Sequence, residues 1–144
     1  MTRFLLDTNI ISNPTKPAPS PELQIWMRLQ DGANLFISSW SLAEIWNGIL
    51  LMPPGRRRSA LEEWYLGPLG PPRLFSGRVL GFDTAAAHKW AELMAAGQQS
   101  GRSRSLPDTI IASIALTQSC VLVTDNERDF PGVPTLNPLR PDSG

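Results

Sequence analysis

The sequence has only one cysteine, Cys120, so the 144-residue chain cannot form an internal disulfide. It has no run of about 18 apolar residues that could span a bilayer, and its first residues lack the layout of a signal peptide. We therefore expect a cytoplasmic protein that does not bind a membrane. Because Cys120 lies inside an apolar run, a place in the core is favoured over a nucleophilic role.

Lysine and histidine are also scarce, and the formal net charge is zero. Many nucleic-acid-binding proteins are net basic, so the overall charge gives no support to such binding. The type of basic residue is more informative, because 11 of the 13 are arginines, which suit bidentate contacts to phosphate. The one histidine, His88, is expected to be a helical residue at or near the surface rather than a general base.

Hydrophobic residues make up 42% of the chain and charged residues 18%, which is typical of a globular protein, and we expect one domain over 1–144. Short apolar segments predict strands at 3–6, 34–39, 78–83, 120–124 and about 133–138. Helical spacing predicts helices at 21–31, 41–52 (with Ser41 as a candidate N-cap), from about 59, 84–101 and 106–119, with loops at 13–21 and 67–77. Alternating strands and helices indicate an α/β fold with a parallel sheet covered on both faces.

Acidic residues stand where these elements begin or end. Asp7 follows the first strand, Glu44 and Asp108 lie in the predicted first turns of two helices, and Asp125 and Asp129 follow the last clear strand. In a parallel α/β sheet these positions share one edge, where ligand sites form. Each acid alone could be a helix cap or a turn residue. Together they would repel one another without cations, and carboxylate oxygens suit Mg²⁺ or Mn²⁺, which prepare phosphodiesters for attack by water.

Polar and basic neighbours fit the same interpretation. Thr8 and Asn9 could bond the carboxylates or form only a turn after the strand. The loop before Asp108 carries Arg102 and Arg104, which are favoured as contacts to RNA but could also belong to a plain loop. A second basic group is equally compatible with RNA contact or with a solvated helix start, and it comprises Arg56, Arg57 and Arg58.

Four segments in this order, "LLDTNIIS", "AEIWNGI", "PDTIIASIAL" and "LVTDNERDF", followed by "LNP", resemble the PIN-domain ribonucleases. The likeness is to the VapC and FitB-like toxins of bacterial toxin–antitoxin pairs, and it spans about residues 3–138. It implies a PIN-like three-layer α/β/α fold with a central parallel sheet of four to five strands and a helical protrusion at about 41–66. It also implies an endoribonuclease that uses Mg²⁺ or Mn²⁺, a cognate antitoxin, an RNA substrate and a homodimer.

The resemblance also implies roles for particular residues. Asp7, Glu44 and Asp108 match the acidic positions of the family, and Asp7 and Asp108 would hold the metal. Asp129 is favoured as the fourth acid over its rival Asp125, and the adjacent Thr124 and Asn126 would position water or phosphate. An alternative function remains open, in which the chain is a catalytically silent PIN-fold module that acts through protein or RNA contacts.

Overall fold

A computed structural model describes residues 1–140 of the chain. Its sheet has five parallel strands in the order β3-β2-β1-β4-β5: β1 (Arg3–Leu6), β2 (Leu35–Ser38), β3 (Val79–Leu80), β4 (Cys120–Val123) and β5 (Thr135–Leu136). The α-helices of these residues are α1 (Thr8–Ser12), α2 (Pro21–Leu29), α3 (Ser39–Leu51), α4 (Arg56–Leu66), α5 (Pro71–Leu74), α6 (Thr84–Gln99) and α7 (Leu106–Thr117). The predicted α/β fold with a central parallel sheet is confirmed. No helix within residues 1–140 is long and apolar enough to cross a membrane.

Side chains alternate between the two faces of the sheet and give the protein two hydrophobic cores. Leu6 and Val123 belong to the core beneath α1 to α5. Their neighbours Leu5 and Leu122 belong to the core beneath α6 and α7. Cys120 is buried in this second core, as its apolar surroundings predict. The sheet is therefore the middle layer of an α/β/α arrangement, and the carboxyl ends of β1, β2 and β4 lie side by side.

The starts of two helices differ from the sequence-based prediction. The N-cap of α3 is Ser38, whose Oγ accepts from Ser41 N at 3.0 Å, so the predicted Ser41 cap is wrong and Glu44 lies in the second turn, not the first. Serines at 38, 39 and 41 can all cap a helix, so the sequence alone does not choose between them.

Helix α4 begins at Arg56 instead of near residue 59, so all three arginines belong to its first turn. Positive charges are electrostatically unfavourable at the N-terminus of a helix. Hydrogen bonds to backbone carbonyls offset this cost for two of the arginines, because Arg57 Nη2 donates to Thr15 O at 3.0 Å and Arg58 Nη1 donates to Met52 O at 3.1 Å.

Two short helices lie where the sequence predicts none. Helix α1 follows β1 directly and is five residues long, which is too short to show a helical repeat, although it buries Ile10 and Ile11. Helix α5 occupies four residues of the predicted 67–77 loop and starts at Pro71, since proline fits the first turn of a helix.

Candidate active site at the carboxyl edge of the sheet

Asp7 lies at the centre of the candidate site, between the end of β1 and the start of α1. It caps α1 through Oδ1, which accepts from Thr8 N at 2.8 Å, while Oδ2 accepts from Thr124 Oγ1 at 2.8 Å. Its exposure is only 6%, and this burial raises the pKa of the carboxyl. The two hydrogen bonds lower the pKa in part, and the charges of Asp108 and Glu44 raise it further. These three acids, predicted to share one edge, are therefore close enough to interact.

Glu44 reaches this edge from the second turn of α3 and is held by α1. Thr8 Oγ1 donates to Glu44 Oε1 at 2.7 Å and lies 2.8 Å from Ser41 Oγ. Thr8 thus touches both carboxylates, one through its backbone N–H and one through its hydroxyl. Its neighbour Asn9 is exposed on α1. Ser41 is a member of this network that the sequence did not reveal, because a serine three residues before Glu44 has the pattern of a cap.

Asp108 lies in the first turn of α7, where Ser105 Oγ accepts from its backbone N–H at 3.2 Å. The helix N-terminus favours a negative charge there. Asp108 and Asp129 line the same cleft, whose volume is about 590 Å³. Asp125 does not line this cleft. Asp125 is half-buried, and its Oδ1 is enclosed without a hydrogen-bond partner among residues 1–140.

Three arginines line the Asp108 cleft: Arg102, Arg104 and Arg128. Within the described part of the chain, none of them lies within ion-pair distance of a carboxylate. Gly97 is required for the position of the loop that carries Arg102 and Arg104, because Arg102 N donates to Gly97 O at 2.8 Å and an added Cβ would lie 2.7 Å from Arg102 O. Sequence reasoning identified two of these arginines and missed Arg128, whose place beside Asp129 was the available signal.

The second predicted basic group has a different environment. Arg57 and Arg58 contact the backbone as described above, and Arg58 Nε also forms an ion pair with Glu62 at 2.7 Å. Arg56 is exposed. The structure therefore gives two of these three arginines a role in anchoring α4.

Hydrogen bonds with the residue after β1 and with a residue after β5 hold the segment 124–129 that follows β4. Thr124 is fully buried, and its Oγ1 accepts from Asn126 N at 3.0 Å while donating to Asp7. Asn126 itself is exposed and takes part through its main chain. Glu127 accepts from Asn137 Nδ2 at 2.8 Å, which is the main reason that its pKa is lowered, and it also pairs with Arg140. These contacts hold the 3-10 turn that carries Asp129.

The donor atoms at this edge are carboxylate oxygens, which suit a hard cation such as Mg²⁺ or Mn²⁺. Residues 1–140 contain no group of three or more acidic, histidine or cysteine side chains gathered closely enough to form a ready-made metal site. Mg²⁺ commonly takes only one or two carboxylates and keeps several waters. Asp7 and Asp108, whose carboxyl groups interact electrostatically, are the candidate ligands for such an ion.

Comparison with known proteins gives a consistent result along the whole chain. The PIN domain family matches residues 4–136. The "VapC ribonuclease Y4jK" of Sinorhizobium fredii is 32% identical over 140 residues, which are 96% of this chain and 99% of that protein. "Toxin FitB" of Neisseria gonorrhoeae is 29% identical over 127 residues, covering 88% and 90% of the two chains. A solved structure of FitAB bound to the IR36 DNA fragment superimposes with a TM-score of 0.87 at 28% identity, covering 96% of this chain and 97% of that one.

Proposed function

The chain belongs to the PIN-domain family, and on this basis we propose that it is an endoribonuclease dependent on Mg²⁺ or Mn²⁺ and the toxin of a toxin–antitoxin pair. The observation that carries the proposal is the influence on the buried Asp7 of two carboxylates delivered by separate helices. Asp108 and Glu44 both raise the pKa of the buried Asp7. Repulsion of this kind costs folding free energy, and a bound cation would relieve it.

The roles follow from the positions of the side chains. Asp7 and Asp108 would hold the ion, which when bound supplies charge neutralisation and activation of water for phosphodiester hydrolysis. Glu44 and the fourth acid would orient the attacking water or complete a second cation site. We propose Asp129 for that fourth position, because it shares a cleft with Asp108 and Asp125 does not. Thr124 would keep Asp7 in place, and the backbone of Asn126 would hold Thr124.

The proposed substrate is RNA, which the arginine-lined cleft would bind through its phosphates. Arg102, Arg104 and Arg128 surround Asp108 and Asp129, and their charges are not neutralised by ion pairs within residues 1–140. Guanidinium groups match phosphate oxygens in pairs. A polyanion held in this cleft would bring a phosphodiester beside the acids. The relative Y4jK is named a ribonuclease, which supports the same substrate.

An antitoxin is the proposed protein partner. The relative FitB is named a toxin, and the superimposed structure contains a FitAB assembly. The part of the chain that the structure describes has an apolar groove of about 430 Å³ between α1, α2, α4 and α5. Several leucines near it are exposed, among them Leu29 and Leu69. A partner that covers such a surface would remove apolar area from water. The homodimer implied by the resemblance stays a prediction.

RNA cleavage by wild type and by Asp7→Asn, with Mg²⁺, Mn²⁺ or EDTA, tests the proposal. The asparagine of this variant can still accept from Thr8 N and donate to Thr124, so the variant should fold. We expect metal-dependent cleavage by the wild type and a loss of more than about 100-fold in the variant. Asp83→Asn is the matched control, because Asp83 also caps a helix but lies outside the site, and it should cleave normally.

Two results would contradict this. Equal cleavage by wild type and Asp7→Asn would overturn the assignment of the active site. A wild type that binds RNA or a partner but hydrolyses no RNA would favour the alternative, a catalytically silent PIN-fold binding module.

A further inference from the structure

A chain of hydroxyl groups runs from the N-cap of α3 to Glu44. Ser38 Oγ donates to Ser41 Oγ at 3.2 Å, Ser41 Oγ lies 2.8 Å from Thr8 Oγ1, and Thr8 Oγ1 donates to Glu44 Oε1 at 2.7 Å. Ser38 and Ser41 are 1% and 0% exposed, so water does not compete for the bond between them, whereas Thr8 and Glu44 are half-buried. The chain connects β2, α3 and α1 at the edge of the sheet where the acids meet.

The direction of each proton in this chain is determined. An ionised carboxylate can only accept, so the single hydroxyl proton of Thr8 is committed to Glu44. Thr8 Oγ1 must then accept from Ser41, and Ser41 accepts from Ser38. Hydroxyl groups linked in one direction polarise one another, and this strengthens the last bond to the carboxylate.

We propose that Ser41 is a positioning residue of the site, acting through Thr8 to hold Glu44 in its working orientation; the inference rests on the proposed function. Within residues 1–140, Ser41 Oγ has no hydrogen bond to an acid. It leaves the Thr8 hydroxyl only one role, which is to donate to Oε1 of Glu44 and so fix the orientation of that carboxylate. Because the backbone N–H of Thr8 also bonds Asp7 Oδ1, Ser41 helps to fix the spacing of two carboxylates.

A double-mutant cycle in the RNA-cleavage assay tests this inference. Ser41→Ala should lower kcat about tenfold and leave KM for RNA within about twofold, because orientation of a reacting group is lost and binding is not. Thr8→Val should lower kcat at least as much. If Ser41 acts through Thr8, adding Ser41→Ala to Thr8→Val should cost less than about twofold more. Thr8→Ser, which keeps the hydroxyl, should retain most activity.

The matched control is Ser113→Ala. Ser113 is also a fully buried helical serine, but its Oγ donates to Ile110 O at 2.8 Å and has no link to an acid. It should cleave RNA like the wild type. If Ser41→Ala fails to fold, Ser41→Cys takes its place, because cysteine keeps a weak donor at similar volume. Ser41→Cys should then lower kcat less than Thr8→Val does. Independent, multiplying effects of the Ser41 and Thr8 changes, or wild-type kcat in Ser41→Ala, would overturn the inference.

A second measurement does not depend on catalysis. In the metal-free protein, the buried hydroxyl proton of Ser41 should exchange slowly with water and give an observable ¹H resonance with a nuclear Overhauser effect to the Thr8 side chain. Thr8→Val, which removes the acceptor, should make the Ser41 hydroxyl proton exchange faster. Absence of a protected Ser41 hydroxyl in the wild type would refute the chain itself. If the wild type cleaves no RNA but the resonances behave as expected, the proposed function fails and the chain of hydroxyls does not.

Discussion

Thr124→Val is the substitution that best isolates how the fold supports Asp7. Valine has nearly the shape of threonine, so it preserves packing at a site that is 0% exposed and removes only the hydroxyl. That hydroxyl donates to Asp7 Oδ2 at 2.8 Å and accepts from Asn126 N at 3.0 Å. The variant therefore leaves a buried carboxylate with one hydrogen bond fewer and a backbone N–H without its acceptor.

The expected cost can be worked out from these two bonds. A hydrogen bond to a charged group contributes about 1.5–3 kcal/mol, and Asn126 is exposed enough for water to replace much of its bond. We expect the free energy of unfolding to fall by about 2–3 kcal/mol near neutral pH without metal. For a chain of this length that corresponds to a fall in Tm of roughly 5–10 °C.

The pH dependence gives the reasoning its sharpest test. The pKa of Asp7 is raised in the fold, so the metal-free wild type gains stability below that pKa and loses it as the pH rises through it. The Thr124 bond lowers this pKa, so its removal costs most where Asp7 is ionised, and the cost should shrink as the pH falls towards about 4. Urea unfolding of both proteins at several pH values measures this difference directly.

Thr109→Val is the matched control for that measurement. Thr109 is 1% exposed, and its hydroxyl donates to a backbone carbonyl, Ser105 O, at 2.6 Å. Loss of this neutral bond should cost about 1 kcal/mol with little dependence on the pH. An equal and pH-independent loss in the two variants would refute the idea that Thr124 acts on the charge of Asp7.

Further predictions concern the metal, the arginine loop and the fourth acid. Mn²⁺ at about 100 times its Kd should stabilise the wild type by about 2.7 kcal/mol, seen as a higher Tm in calorimetry, and Asp108→Asn should lose most of that shift. Gly97→Ala should destabilise the fold by about 1–3 kcal/mol and weaken RNA binding several-fold, because the new Cβ meets Arg102 O at 2.7 Å; unchanged binding in a filter assay would contradict this. Asp129→Asn should lower kcat more than about tenfold and Asp125→Asn less than about threefold, and the reverse order would make Asp125 the fourth acid.

Much of this site could be predicted from the sequence, because the topology of a parallel sheet alone brings the acids together. Asp7, Glu44 and Asp108 each stand beside the carboxyl end of a parallel strand or the start of a helix, and those positions share one edge in any α/β sheet. The supporting contacts could not be predicted in the same way. Thr124 and Asp7 are 117 residues apart, and their bond depends on the pairing of β1 with β4, which no local pattern encodes.

The wrongly predicted start of α3 illustrates a second reason why the sequence alone did not reveal the whole site. Serines at 38, 39 and 41 have similar capping ability, and the choice of Ser38 depends on where β2 ends. A shift of three residues changes the role of Ser41 from a cap to a member of the hydroxyl chain that reaches Glu44. Local propensity is nearly neutral between these alternatives, and the end of β2 at Ser38 decides between them.

The fold holds the three principal acids in place with different numbers of contacts. This determines which acid is most easily disturbed by a substitution nearby. Asp7 is bonded through both of its oxygens, one to the backbone of α1 and one to Thr124. Asp108 lies in the first turn of α7, where the helix N-terminus itself favours a carboxylate. Glu44 lies one turn further into its helix, where the electrostatic effect of the helix N-terminus no longer reaches. Within residues 1–140, the only hydrogen bond to its carboxylate comes from Thr8. Substitutions in the neighbouring hydroxyls should therefore disturb Glu44 first, so activity should be lost through Glu44 well before the fold is.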